Sequence, residues 1–328
     1  MLFWISWTVS ALAQDALTFE AVRSAVHGQG APSITFHLRV DAQLTVQLAC
    51  GERRFDVSRS VASGEQVKVP LTGLTEGTHA CRGEVTLMGS DGSQGSMPLS
   101  FDVASLAEIS WAIDKADLDL DAHTLTTRPS RPLEAARVSM YGVSGLFEER
   151  DASLADPLAP MFRWDGSQEV VKLVVEGRDR HGFKSKLELS PWSYTIPHDD
   201  VLFSSGDAAI ALTEVPKLES TWTDVVDTLN KYGSVVRIQL YVAGCTDTVG
   251  DASMNQALSE RRARAIASWF RQRGFPGDVY FQGLGERAPA VVTSDEVNEP
   301  SNRRAIYMLA ADPPGPDTGV PFGRWRKL

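Results

Sequence analysis

The sequence predicts a multidomain chain, with two N-terminal all-β domains of loosely Ig-like sandwich type followed by an α/β domain. Three observations carry this. At 328 residues the chain is too long for one ordinary domain. Between Ile34 and Ile196, short runs alternate apolar and polar residues and are split by turn residues. From Asp199 onward the apolar spacing changes to that of helices interleaved with strands.

Leu2 to Ala13 is an apolar run ending Ala11-Leu12-Ala13 before Gln14-Asp15. It has the h-region and small-residue cleavage site of a secretory signal, so residues 1–13 are expected to be a signal peptide. No Lys or Arg precedes the run, which leaves an upstream start or a buried strand as alternatives. The run is shorter than the roughly 20 residues a membrane helix needs. No later segment is apolar enough to span a bilayer.

The first β-domain is expected over residues 31–104. Ile34 to Val40 and Gln66 to Val69 alternate, and Gly89-Ser90-Asp91-Gly92-Ser93 is turn chemistry between Val85–Met88 and Leu99–Val103. Cys50 and Cys81 each adjoin a strand-like stretch, Leu44 to Ala49 and Thr78 to Gly83. A disulfide there would stabilise the fold by roughly 3–4 kcal/mol; two unpaired core thiols are the alternative. No Trp lies between them, so the antibody-domain hallmark is missing.

The second β-domain is expected over 106–196. Val170 to Val175 and Lys186 to Leu189 flank the polar turn Arg178 to Gly182, while Thr127 to Pro132 and Asp151 to Pro160 read as loops. Asp117-Leu118-Asp119-Leu120-Asp121 looks like half a calcium loop. However, Ala122 stands where such a loop has Gly and Arg128 where it has Glu, so a strand with one acidic face is expected. The pairs Glu148-Glu149 and Asp199-Asp200 are expected to be solvated.

The α/β domain is expected over 201–310. Leu218, Trp222, Val225, Val226 and Leu229 share one helix face, closed by Gly233. Val236 to Val242 alternates as a strand, and Ser253 to Arg273 is a second helix stopped by Gly274 and Pro276. Strands at Asp278–Gln282 and Arg304–Leu309 complete a βαβαβ-type order. The tail, 311–328, opens with Asp312-Pro313-Pro314-Gly315-Pro316 and is expected to be disordered.

The formal net charge of −10 argues against a non-specific nucleic-acid or anionic-lipid binder. The six histidines show no metal spacing, and P-loop, Rossmann and nucleophile-elbow motifs are all missing. No catalytic residue, metal or cofactor is therefore expected.

Chemistry concentrates in the second helix. With Leu258 set at zero, Ala265, Trp269 and Ile266 fall at about −20°, 20° and 80°, and Arg262 falls at about 40°, inside the apolar stripe. A guanidinium there needs a partner or the rim of a pocket. It is either a structural salt bridge or an anion receptor. Asp247, between Gly244 and Gly250 at a strand's C-terminal end, could face the same cavity. An acid beside a guanidinium suits a ligand bearing both an ammonium and a carboxylate.

Four blocks in order, Gly244-Cys245-Thr246-Asp247-Thr248-Val249-Gly250, Asn255 to Ala263, Gly283-Leu284-Gly285-Glu286 and Asn302-Arg303-Arg304, resemble the OmpA-like peptidoglycan-binding domain. The resemblance spans roughly 201–310. It implies binding of the diaminopimelate of the peptidoglycan stem peptide, with Asp247 holding the ammonium and Arg262 the carboxylate. Phe203, Thr246, Asn255 and Leu258 would line or support the pocket, and Asn302 and Arg303 would buttress it. Cys245 stands where the family often has His, and is expected to be inert. The resemblance implies a non-catalytic protein exported to the periplasm or outer-membrane side of a Gram-negative envelope. Its β-domains would be tied to the wall, free to meet an outer-membrane or periplasmic protein. A domain that binds no wall and serves protein contacts is one rival. A wall hydrolase is another, and it would need a catalytic dyad or metal site within Ala31–Ile196.

Overall fold

The computed structural model describes residues 16–204, 206–315 and 324–328. The expected signal peptide, 1–13, lies outside the described residues.

The first β unit begins earlier than residue 31. Leu17–Val22 pairs antiparallel with Ser33–Leu38, which pairs with Gln66–Pro70, making a three-stranded sheet. The facing sheet has five strands, in which Ala42–Cys50 lies between Arg53–Val61 and Gly77–Gly89. Inward residues of both sheets, Ile34, Phe36 and Val67 from one and Leu44, Val46 and Val85 from the other, form a single core. That is the two-layer arrangement which alternation predicts. Thr78–Gly83 and Val85–Met88 form one strand rather than two, because Gly83 passes without a break; a Cβ there would meet the Gln47 carbonyl oxygen at 1.9 Å. Cys50 and Cys81 are cross-strand partners and form a disulfide with Cα atoms 4.0 Å apart.

The middle unit is also all-β. Its four-stranded sheet is built on Ala135–Gly142 and Lys172–Arg178. A small sheet of Leu118–Asp119, Thr124–Thr126 and Met161–Arg163 shares the core of Leu125, Val138, Met140, Phe162 and Leu173. Arg128–Pro129, expected in a loop, pairs with Trp111–Ala112. The acidic run is a 3-10 turn and a two-residue strand rather than one continuous strand. The Asp117 carboxylate binds Arg128, and Asp119 accepts from the backbone of Asp121 and Ala122. Glu148 is not solvated; its side chain is 10% exposed and pairs with Arg150 at 2.8 Å.

The C-terminal domain contains β1 (Ser193–Thr195), α1 (Val215–Tyr232), β2 (Gln239–Cys245), α2 (Ala252–Arg273), β3 (Val279–Gly285), β4 (Ala305–Ala310) and β5 (Arg326–Lys327). The sheet order is β1-β4-β2-β3-β5, with β2 and β3 parallel and the other pairs antiparallel. A mixed sheet thus replaces the simple βαβαβ order. Its first strand comes from before residue 201. Trp192 and Ile196, expected in the second β-domain, belong to the C-terminal core, and the Trp192 ring lies 4.6 Å from that of Tyr232. The tail is not disordered at its end, since Arg326 and Lys327 pair with Phe281 and Tyr280 while Lys327 binds Asp278 at 2.8 Å.

Alternation along β2 sends Leu240 and Val242 toward α1 and α2, where Leu218, Val225, Ile266 and Phe270 meet them. Tyr241, Ala243 and Cys245 point to the opposite face, where Leu284, Met308 and Trp325 gather. The sheet is therefore buried on both sides, which explains its near-continuous apolar strands.

Candidate functional site

The site is built where β2 ends and α2 begins. Gly244 lets the two approach, because a Cβ there would lie 2.4 Å from the Ser259 carbonyl oxygen. The Thr246 amide donates to the Gly285 carbonyl at 2.9 Å, which turns the chain over β3. Gly250 adopts φ +90°, a conformation that favours glycine. Asp251 then caps α2, its carboxylate accepting from the amides of Ser253 and Met254 at 2.9 and 3.1 Å.

Asp247 sits in this turn and is only 7% exposed. Its Oδ2 accepts from Arg303 Nη1 at 2.5 Å, and Arg303 also donates to Asn298. Asn302, fully buried, fixes the preceding turn by exchanging two hydrogen bonds with the Val291 backbone at 2.8 and 2.9 Å. Asn255 donates to the Val249 carbonyl at 3.1 Å and to Glu286 at 3.3 Å, tying the glycine loop to the end of β3. Thr246 is 3% exposed, and its hydroxyl has no hydrogen-bond partner among the described residues.

Arg262 is placed differently from the helical-wheel reading. The buried residues of α2 are Asn255, Ser259, Ala263, Ile266, Ala267 and Phe270, while Leu258, Ala265 and Trp269 are half-buried. The buried stripe thus centres between Ser259 and Phe270, and Arg262 lies about 70° to one side, at its rim. Leu258 was a poor origin because it flanks the core. Arg262 Nε donates to the Asp207 carbonyl at 2.9 Å and Nη2 to the Ser204 carbonyl at 3.2 Å, with the guanidinium 5.1 Å from the Phe203 ring centroid.

The charges of this region interact. Burial lowers the pKa of Arg262, Arg303 and Arg261 lower it further, and Asp247 and Asp207 oppose them. Asp207 is held below the usual carboxylate range chiefly by the amides of Ala209 and Ala208, with Arg262 contributing least. Asp247, Arg303 and Arg262 therefore share one electrostatic neighbourhood, and Phe203, Thr246, Asn255 and Asn302 attach to its members.

Sequence reasoning missed the carbonyls of Ser204 and Asp207, because backbone contacts leave no residue signature. It also missed Glu286 as a contact of Asn255. Cys245 is buried, and its thiol is pushed up to about 11 chiefly by that burial, so it carries no thiolate at neutral pH. Among the described residues no cluster of His, Cys, Asp or Glu could hold a metal.

The profile of the OmpA family matches residues 202–303. The chain is 36% identical over 189 residues to outer membrane protein A of Serratia odorifera, covering 57% of this chain and 72% of that protein. It is 28% identical over 213 residues to the same-named protein of Atlantibacter hermannii, covering 64% and 72%. It spans about half, 49%, of the length of the Shigella dysenteriae protein of that name. Among solved structures, the cell wall anchor of the T6SS from Pseudomonas aeruginosa aligns at 22% identity and TM-score 0.28, over 44% of this chain and 86% of that one.

Proposed function

This chain belongs to the OmpA family, and on that premise we propose that its C-terminal domain binds peptidoglycan through the diaminopimelate of the stem peptide. In this reading the protein is exported and non-catalytic, resides in the periplasm against the outer membrane, and ties its β-units, read as Ig-like sandwiches, to the wall. The β-units remain available to an envelope protein. No helix among the described residues is long and apolar enough to cross a membrane.

The observation that carries the proposal is the division of labour at Asp247 and Arg262. Asp247 presents a carboxylate of which only Oδ2 is engaged, by Arg303, leaving Oδ1 for a ligand ammonium. Arg262 spends Nε and Nη2 on backbone carbonyls and keeps Nη1 for a ligand carboxylate. The Thr246 hydroxyl, buried without a partner among the described residues, supplies a third polar contact. Arg303 and the Ser204–Asp207 carbonyls act as positioning groups, holding both charges before the ligand arrives.

Each charge-assisted hydrogen bond contributes about 1.5–3 kcal/mol. Asp247→Asn and Arg262→Ala should therefore each weaken binding of free diaminopimelate roughly 10- to 100-fold. The measurements are amide shifts around Asp247 and co-sedimentation with purified sacculi. Unchanged sedimentation of both variants, with the parent binding, would remove these two residues from the site. A parent that does not sediment would favour the rival reading, in which Arg303 simply neutralises Asp247 and the domain serves protein contacts.

A further inference from the structure

The outward face of α2 carries charge that the site above does not use. The helix holds five arginines and one acid, Glu260, in a chain whose net charge is −10. Two of the arginines are already placed, Arg262 in the site and Arg273 on Glu219 at 3.0 Å. The other three, Arg261, Arg264 and Arg271, are exposed. By helix geometry they fall within an arc of about 80° and span about 15 Å along the axis. The buried Ser259, Ala263, Ile266 and Phe270 lie on the opposite side. We propose that this stripe is a second contact with the wall, taking free carboxylates of stem peptides that neighbour the one held at Asp247 and Arg262. It rests on the peptidoglycan reading above and extends it from one ligand residue to the polymer.

Neighbouring acids do not neutralise the stripe. Glu260 pairs with Arg326 at 2.5 Å. Asp278, which attracts Arg271, is shared by Lys327 at 2.8 Å and Arg237 at 3.4 Å. Arg261 makes no hydrogen bond or ion pair among the described residues. The Arg264 guanidinium lies 5.9 Å from the Phe281 ring centroid and has no hydrogen bond there either. Arg271 spends only Nη1, on the Gly277 carbonyl at 2.8 Å. Like charges three positions apart on a helix are unfavourable, and an anionic partner removes that cost.

Charge sets the sign of the partner, and α1 sets its shape. The two helices pack side by side on one face of the sheet, where Trp222 meets Phe270 and Glu219 meets Arg273. Yet α1 exposes Asp224 and Asp227, of the opposite charge. A broad anionic surface, such as a phospholipid bilayer, would meet those carboxylates as well as the arginines. A narrow acidic chain lying along α2 meets the arginines alone. Stem peptides of a cross-linked wall have that form, linear and bearing carboxylates at intervals, and a guanidinium recognises a carboxylate through paired hydrogen bonds.

The test follows co-sedimentation of the full chain with purified sacculi at rising sodium chloride, beside binding of free diaminopimelate by amide shifts. The working variant is Arg264→Gln with Arg271→Gln; Arg261 stays, because it acts electrostatically on Arg262. At low salt this variant should bind sacculi about fivefold more weakly than the parent, through the loss of two exposed ion pairs. It should bind free diaminopimelate as the parent does. The two proteins should converge near about 1 M salt, where the screening length falls to about 3 Å. Arg264→Lys with Arg271→Lys keeps the charge and should retain most of the parent's binding, which separates loss of charge from loss of fold. The proposal is overturned if the parent's sedimentation is indifferent to salt, if the Gln pair sediments as the parent does at low salt, or if the Gln pair also loses free diaminopimelate. Flotation of the parent with phosphatidylglycerol vesicles, lost in the Gln pair while sacculi binding is kept, would give the stripe to a membrane instead. Salt-sensitive sedimentation without diaminopimelate binding would end the reading of the Asp247 site and spare the stripe. Diaminopimelate binding with salt-indifferent sedimentation would do the reverse.

Discussion

The N-terminal sandwich and the C-terminal domain place their polar groups in opposite ways. In the sandwich the buried polar side chains are Ser33 and Ser105, and the long strands alternate cleanly between core and solvent. The C-terminal domain buries Thr221, Thr228, Thr246, Asp247, Asn255, Ser259, Gln282 and Asn302. Several of these, Asp247, Asn255 and Asn302 among them, hold the loops around one strand end. Buried polar groups are destabilising unless satisfied, so a domain that gathers them at one end of its sheet is organised around a site. The sandwich is organised around its core.

If the two regions are separate folding units, a change that destroys one should spare the other. Gly244→Val gives the largest effect. Its side chain would have to occupy the space of the Ser259 carbonyl, so α2 must leave β2. We expect at least about 3 kcal/mol of destabilisation, the upper range for overpacking. In urea unfolding the C-terminal transition should move or vanish while the sandwich transition stays. A single transition shifted as a whole would show that the regions fold together.

The comparison also explains what the sequence made legible. Alternation located the sandwich strands from Ile34 onward other than Arg53–Val61, because each has one wet face. Leu17–Val22 alternates as well, Leu17-Thr18-Phe19-Glu20-Ala21, but was missed because it follows directly on the signal-like run. In the C-terminal domain Gly233 and Gly274 marked both helix ends. Strand β5 escaped notice because Arg-Trp-Arg-Lys-Leu has too few residues to show a period. Asp247 and Arg262 stood out through spacing and resemblance. The wheel placed Arg262 within the stripe only because Leu258 looked like core and is half-buried. Gln282 was invisible, since a Gln inside an apolar strand reads as a solvent-facing residue until the tail is seen across that face.

The disulfide sharpens the contrast from the other side. Cys50 and Cys81 join neighbouring strands of the sandwich, and nothing comparable crosses the C-terminal sheet among the described residues. Cys50→Ala with Cys81→Ala should lower the sandwich's unfolding free energy by roughly 3 kcal/mol, through the freedom returned to the unfolded chain. The C-terminal transition should stay in place. A shift of both transitions would break the comparison.

The smallest effect concerns pH, and it bears on the site end alone. The Asp251 carboxyl is held below the ordinary carboxylate range, first by the Ser253 hydroxyl and then by the amides of Met254 and Ser253. A depressed folded-state pKa contributes stability that is fully present above the unfolded value, about 3.9, and is lost as pH falls through the folded one. Asp251→Ala should therefore lower the melting temperature of the C-terminal domain at pH 7. The gap between variant and parent should close as the medium is taken below the usual carboxylate range, because the protonated acid no longer accepts from the helix N-terminus. The sandwich transition should not respond to this substitution at any pH. A gap that persists unchanged into acid would mean that Asp251 acts through packing rather than as an ionised cap, and the charge organisation argued for this end of the sheet would lose one of its members.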